Sequence, residues 1–221
     1  MTTYNDLSRQ EVLLPELAHA LRPSPFGLMI HHPLLVSFDS EPTRANALFA
    51  HKQGQYDDAL AAHDWRRALT FLERPYRLSF LRLWWQSKII TVDILRSELP
   101  WVWVDAEPDD TEPRWRTLFC QASKAGRLED GAPLPEGETL TVYRGQSPED
   151  ELGLAWTLDP ATARFFARRF HAGGSILAGS VARSDVLAYL TGRGEQEIDV
   201  DPRKVAGVSV WEEPSQESEV A

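Results

Sequence analysis

An α+β protein is what this sequence predicts, helical in its first half and largely strand in its second. Three observations carry that prediction. Between residues 44 and 96 apolar residues recur at three-to-four spacing, and after Glu138 the period drops to two. A single strong helix-start signal, Asp159-Pro160, then stands among the strands. A 221-residue chain with 43% hydrophobic residues is long enough for one well-buried core or two small ones. The expectation is one compact unit, with a helical segment over residues 1–126 and a β-rich core over residues 139–211.

Taken in order, Leu60, Ala68, Leu69 and Leu72, then Leu78, Leu81, Trp84 and Trp85, mark two or three packed helices. The acidic, Pro-containing stretch 105–113 reads as a loop, and 126–138, with three Gly and two Pro, reads as another. Between them Trp115, Leu118, Phe119 and Ala122 mark a further helix. Along 139–144 polar and apolar residues alternate, so Leu140, Val142 and Arg144 share one strand face, and Thr139, Thr141 and Tyr143 the other. Residues 154–158 read as a short strand running into Asp159 as N-cap and Pro160 at the first helical position. That helix carries Ala163, Phe166, Ala167 and Phe170 on one face and ends at Gly173-Gly174. Strands are expected over 175–182, 195–200 and 205–211, with a frayed acidic tail from Glu212 onward.

Lys and Arg number 23 against 33 Asp and Glu, and the resulting formal charge of −10 repels phosphate backbones, which disfavours bulk nucleic-acid binding. Residues 1–10 hold no positive region followed by an apolar run. No stretch approaches the roughly 18 apolar residues that a spanning helix needs. The chain therefore reads as soluble and cytoplasmic, with no membrane partner. Cys120 is the single cysteine, so no internal disulfide or thiolate cluster can form, and its apolar helical surroundings mark a packing thiol. The histidines have no partners at ligand spacing, and no metal is expected.

Chemistry concentrates in the second half. If 195–201 is regular strand, Ile198 and Val200 face one way while Glu195, Glu197, Asp199 and Asp201 line up on the other. Four aligned carboxylates must be solvated, metal-bound or opposed by cations, and periodicity does not choose among these. Arg144 ends an apolar strand face and is followed by Gly145, where backbone can come close to a ligand. Its guanidinium requires an anion. Either a strand carboxylate supplies it in a structural ion pair, or a phosphate or ribose of a ligand does.

In order along the chain, Tyr143-Arg144-Gly145, then Ala155-Trp156-Thr157 leading into a helix, then Glu195-Gln196-Glu197, resemble the ADP-ribosyltransferase superfamily. The branch is the one whose signature is an Arg, a Ser/Thr-containing strand and a Glu-x-Glu motif. The resemblance covers residues 140–211, about a third of the chain. It implies a split, mostly antiparallel β-sheet with an NAD-binding cleft, NAD⁺ as co-substrate and a protein as acceptor. It further implies that Arg144 contacts the phosphate and ribose, with Tyr143, Gly145, Trp156 and Phe166 around the cofactor. Thr157 would orient the catalytic acid, and Glu197 would be that acid, stabilising the oxocarbenium-like ribose as nicotinamide leaves. Glu195 would engage the incoming nucleophile, a role the family links to arginine acceptors. Residues 185–194 look like the family's acceptor-recognition loop, with Tyr189 and Arg193 as its contacts. Where the family often shows Ser-Thr-Ser this chain has Ala155-Trp156-Thr157, which keeps one hydroxyl.

Several of these residues have a plainer reading beside the functional one. The spacing of Phe166 and Phe170 with Ala163 and Ala167 is also that of core packing, and Arg168 and Arg169 suit a helix C-terminus as well as a pyrophosphate. The activity implied is mono-ADP-ribosyl transfer, in a setting such as a toxin or effector. The alternatives are an NAD⁺ glycohydrolase, with water in place of the acceptor, and a non-enzymatic interaction module that keeps the fold.

Overall fold

The structure is a computed structural model and describes residues 12–38, 41–106, 108–147, 149–170 and 173–212. The chain divides into two compact units, Met1–Glu107 and Pro108–Ala221. The division falls in the acidic, Pro-bearing stretch, where a helix cannot run on through Pro108 and Pro113. The chain is therefore two units where one was expected, and the helix around Trp115 groups with the sheet instead of with the helical segment.

The first unit runs α1 (Pro15–His19), β1 (Leu21–Ser24), β2 (Gly27–His32), β3 (Leu35–Ser37), α2 (Pro42–Ala61), α3 (Trp65–Phe71), α4 (Arg74–Gln86) and α5 (Val92–Ala106). Its three strands form an antiparallel sheet in the order β1-β2-β3, which the helical reading of this segment did not anticipate. Strands of three to six residues are too short to show a period, and Gly27, at φ 113°, closes the tight turn between the first two. Leu17, Leu69, Leu81, Leu95, Leu99 and Val102 are fully buried. The nearly buried Glu98 is paired with Arg66, and Arg77 bonds Asp105 at 2.7 Å. Both guanidinium groups lie against the Trp101 ring, at 4.7 and 5.4 Å from its centre. No helix among the described residues is long and apolar enough to cross a membrane.

The second unit runs α6 (Pro113–Ala122), β4 (Leu128–Asp130), β5 (Thr139–Gln146), β6 (Ala155–Thr157), α7 (Pro160–Phe170), β7 (Ser175–Ala182), β8 (Val186–Leu190), β9 (Glu197–Val200) and β10 (Ala206–Val210). Seven strands lie in the order β10-β7-β5-β6-β9-β8-β4, with β4–β8 parallel and the other pairings antiparallel. The α+β class read from the sequence is the class observed. One sheet face gathers Leu140, Val142, Trp156, Leu177, Tyr189, Ile198 and Val200 into a core. The other carries α7, whose Ala163 and Ala167 are buried. Asp159 starts that helix as expected, accepting hydrogen bonds from the N–H groups of Ala161 at 2.9 Å and Thr162 at 3.0 Å.

Two strands lie where loops were expected. β4 is three residues long, and β8 reads Val-Leu-Ala-Tyr-Leu, an unbroken apolar run with no alternation because most of it is buried. Conversely β9 begins two residues later than expected. Gln196 sits at φ 47°, a left-handed conformation that ends extended pairing before it. Beyond Glu212 the expected tail lies outside the described residues, as do residues 1–10.

Candidate functional site

The strands bearing Arg144, Thr157 and Glu197 are neighbours in the sheet, in the order β5-β6-β9. Tyr143 pairs with Thr157, and Thr157 with Glu197. Directly opposed residues leave a sheet on the same side, so these three side chains form one row, two strand spacings or about 10 Å across. Arg144, one residue on, belongs by alternation to the opposite face. Among the described residues β5 and β6 pair only at Tyr143 and Thr157, and beyond that point they part. The Arg144 guanidinium reaches into the gap.

There it meets an acid from outside the sheet. Arg144 Nη1 and Nη2 donate to the two carboxylate oxygens of Asp110 at 2.6 and 3.0 Å, a bidentate fork. Nη1 also donates to the Ala155 carbonyl at 2.6 Å, and Nε donates to Gln146 Oε1. The Ala155 N–H in turn donates to Asp110 Oδ2 at 2.9 Å. Both peptide groups of Ala155 that face β5 are thus met by the Arg144–Asp110 pair in place of a strand ladder. Gly153 makes room for the acid, because a Cβ there would overlap the Asp110 carboxylate. The pair is only about one-sixth exposed, at 14% for Arg144 and 16% for Asp110. Arg144 is ion-paired with Asp110 of the 108–112 segment and not with one of the strand acids that the sequence offered as its partner.

Thr157 holds the Glu-x-Glu turn by its backbone. Its hydroxyl donates to the Glu195 carbonyl at 2.6 Å and accepts from the Asp159 N–H at 3.0 Å, and the Leu158 N–H donates to the Gln196 carbonyl at 3.1 Å. A 5% exposed threonine therefore ties β6, the start of α7 and the turn before β9 together. The line of four carboxylates is not formed. Gln196 breaks the alternation before Glu197, Asp199 is fully buried, and Asp201 turns away to bond the Arg203 N–H at 3.1 Å. Glu195 is half-buried, with Arg193 Nε 3.7 Å from its carboxylate at the surface.

Three expected contacts have other duties. Trp156 is buried in the core with its indole N–H on the Gly153 carbonyl at 3.2 Å, so it offers no surface to a cofactor. Tyr189 lies in the same core on β8, where burial pushes its phenol pKa up, and it is not an acceptor contact. At Gly145 the close approach is made by α7: a Cβ would overlap the Ala163 carbonyl oxygen and fall 2.5 Å from Ala167 N. Tyr143 is half-buried, its ring edge-on to Trp211 at 5.5 Å, and the half-buried Phe166 meets Phe165 at 5.4 Å. Arg168 and Arg169 are exposed at the helix end, and the side chain of Phe170 and residue His171 lie outside the described parts.

Electrostatically the site edge is acid-stabilising. Burial raises the Asp159 carboxyl pKa, but hydrogen bonds from Ala161 and Thr162 and the charge of Arg164 outweigh it and hold the group below its usual range. Asp109 is lowered as well, chiefly by hydrogen bonds from the Thr111 hydroxyl and N–H, with Arg144 adding to them. Asp110, Gln146, Gly153 and the Ala155 peptide are the members that sequence reasoning missed. The signal for Asp110 was the demand of Arg144 for an anion, together with the acidic loop 105–113. Among the described residues no group of three or more His, Cys, Asp or Glu is gathered to hold a metal ion. No protein-family model matches the chain, and no curated protein or solved structure matches it.

Proposed function

We propose that residues 108–221 form an ADP-ribosyltransferase that binds NAD⁺, breaks its nicotinamide–ribose bond and passes ADP-ribose to a protein acceptor. The observation that supports this reading most is the register row Tyr143–Thr157–Glu197, which joins three motifs separated by up to fifty-odd residues of chain. In this reading Glu197 faces the ribose and stabilises positive charge as the C1′–N bond breaks, its electron pair going to the nicotinamide nitrogen. An acceptor nitrogen, arginine by the Glu-x-Glu criterion, bonds C1′ and gives up a proton to Glu195. Thr157 keeps the two glutamates in place through the Glu195 carbonyl. The donor set of Arg144 with the Ala155 N–H suits an anionic oxygen, which supports the pyrophosphate as its ligand.

Labelled NAD⁺ tests the reading. Wild-type protein should release nicotinamide, and Glu197→Gln should do so at least about a hundredfold more slowly, the lower range for positioned catalytic groups. Equal release by the two refutes it. Label on protein indicates transfer, and free ADP-ribose indicates hydrolysis. The engagement of Arg144 by Asp110 supports a second reading, an interaction module that does not turn NAD⁺ over. At a hundred times its Kd NAD⁺ stabilises a true binder by about 2.7 kcal/mol, so an unchanged melting temperature in millimolar NAD⁺ favours the module.

A further inference from the structure

Arg144 has five N–H donors, and four are already committed: Nε to Gln146, both hydrogens of Nη1 to Asp110 and Ala155, and one of Nη2 to Asp110. A phosphate held by two parallel bonds from the Nη1–Nη2 edge of this guanidinium takes the place of Asp110, whereas the Nε–Nη2 edge is shared with Gln146. The surroundings of that edge are built for an anion whoever supplies it. Arg144 offers a fork, the Ala155 N–H points at the same oxygen as Nη1, and Gly153 leaves the volume free. Exchanging the Asp110 carboxylate for a phosphate oxygen pair would keep all three of these bonds.

Asp110 is also able to leave. Its main chain is held separately, by the Leu154 N–H on the Asp110 carbonyl at 3.2 Å, so rotation of the side chain frees the carboxylate without undoing that anchor. At 16% exposure its side chain is not sealed from the surface. We infer that Asp110 is an internal competitor for an anion subsite formed by Arg144, the Ala155 N–H and Gly153, and that an entering phosphate group displaces it. Naming the ligand as the pyrophosphate of NAD⁺ rests on the proposed function; the subsite itself does not.

Competition of this kind lowers the apparent affinity by the fraction of molecules in which the site is open, so removing the competitor restores it. Isothermal titration with inorganic pyrophosphate, and separately with NAD⁺, is the test, on wild type, Asp110→Asn and Asp110→Ala. Both variants should bind pyrophosphate at least about tenfold more tightly than wild type. Adding Arg144→Gln to Asp110→Asn should abolish the gain. Unchanged or weaker binding by a folded Asp110 variant overturns the inference and makes Asp110 a strut for Arg144. Failure of both variants to reach the wild-type circular dichroism spectrum overturns it too, because an acid the fold cannot spare is not displaceable. A gain for pyrophosphate without one for NAD⁺ sustains the subsite and counts against the NAD⁺ reading. Equal NAD⁺ binding by all three proteins, with no pyrophosphate gain, leaves the NAD⁺ reading standing and removes the competitor.

Discussion

Gly145→Ala separates two reasons for a glycine beside Arg144: approach of a ligand, or approach of α7. The backbone φ of Gly145 is not in the left-handed region, so alanine is conformationally allowed and the effect reports space alone. A Cβ would overlap the carbonyl oxygen of Ala163 and stand 2.5 Å from Ala167 N. Neither atom belongs to a side chain that can rotate away, so α7 must move off β5 by about 1 Å or more to reach ordinary van der Waals distance. Over-packing typically costs 1–3 kcal/mol, and a displacement of backbone puts this case near about 3 kcal/mol. For a unit of this size that lowers Tm by roughly 10 °C. Gly54 is the control. It lies within α2, exposed, with nothing inside 4 Å of a built Cβ, so Gly54→Ala should stabilise by about 0.5–1 kcal/mol through helix propensity. Urea denaturation of both variants without ligand is the assay. A Gly145→Ala protein within 0.5 kcal/mol of wild type, by the usual scatter of a neutral substitution, would refute helix packing as the reason for the glycine.

Thr157→Val deletes the hydroxyl shared by the Glu195 carbonyl and the Asp159 N–H, and should cost about 2 kcal/mol in denaturant melts. Thr157→Ser keeps both bonds and should recover most of that loss; equal losses for Val and Ser would mean that the methyl, not the hydroxyl, matters. Asp159→Ala removes the α7 N-cap and should cost about 1 kcal/mol at neutral pH. Because the folded carboxyl pKa is depressed, that contribution is present above the unfolded value of about 3.9 and is lost as pH falls through the folded one. The gap between wild type and Asp159→Ala should therefore close in acid, and a gap independent of pH would argue against a charged cap.

The parts of the fold that could be read from the sequence are those where a local rule and the tertiary structure agree. β5 alternates over residues 139–142 because Leu140 and Val142 meet the core while Thr139 and Thr141 are exposed, and Asp159-Pro160 announces α7 because capping is a matter of two or three residues. β8 carries no such signal: a strand buried on both faces shows no period, so its apolar run reads no differently from a connection leading to Glu195. At the candidate site the same boundary holds. The residue types Arg144, Thr157 and Glu197 were visible, and so was the need of Arg144 for an anion. Its partner, 34 residues earlier in an irregular segment, was not, since no spacing rule links a loop acid to a strand cation. Gly145 and Gly153 were ambiguous for a related reason. A glycine tells of a close neighbour without telling which one.

The parting of β5 and β6 links these observations to stability. In a continued ladder the Ala155 N–H and carbonyl would bond the main chain of β5, a partner that cannot leave. Here they bond side chains, and the one that takes the N–H is the carboxylate of Asp110. A main-chain donor left without a partner in a part-buried place costs about 1–3 kcal/mol, so Asp110 departs most readily when another anion arrives to take the Ala155 N–H. Opening and filling of the gap are coupled for that reason alone, without any movement of the strands. The coupling has a direction that can be read: an anion bound at Arg144 should protect the Ala155 amide from hydrogen exchange in Asp110→Ala, where water otherwise reaches it, and should change its protection little in wild type, where the carboxylate already covers it. Equal protection of that amide in the two ligand-free proteins would mean that Asp110 is not what shields it.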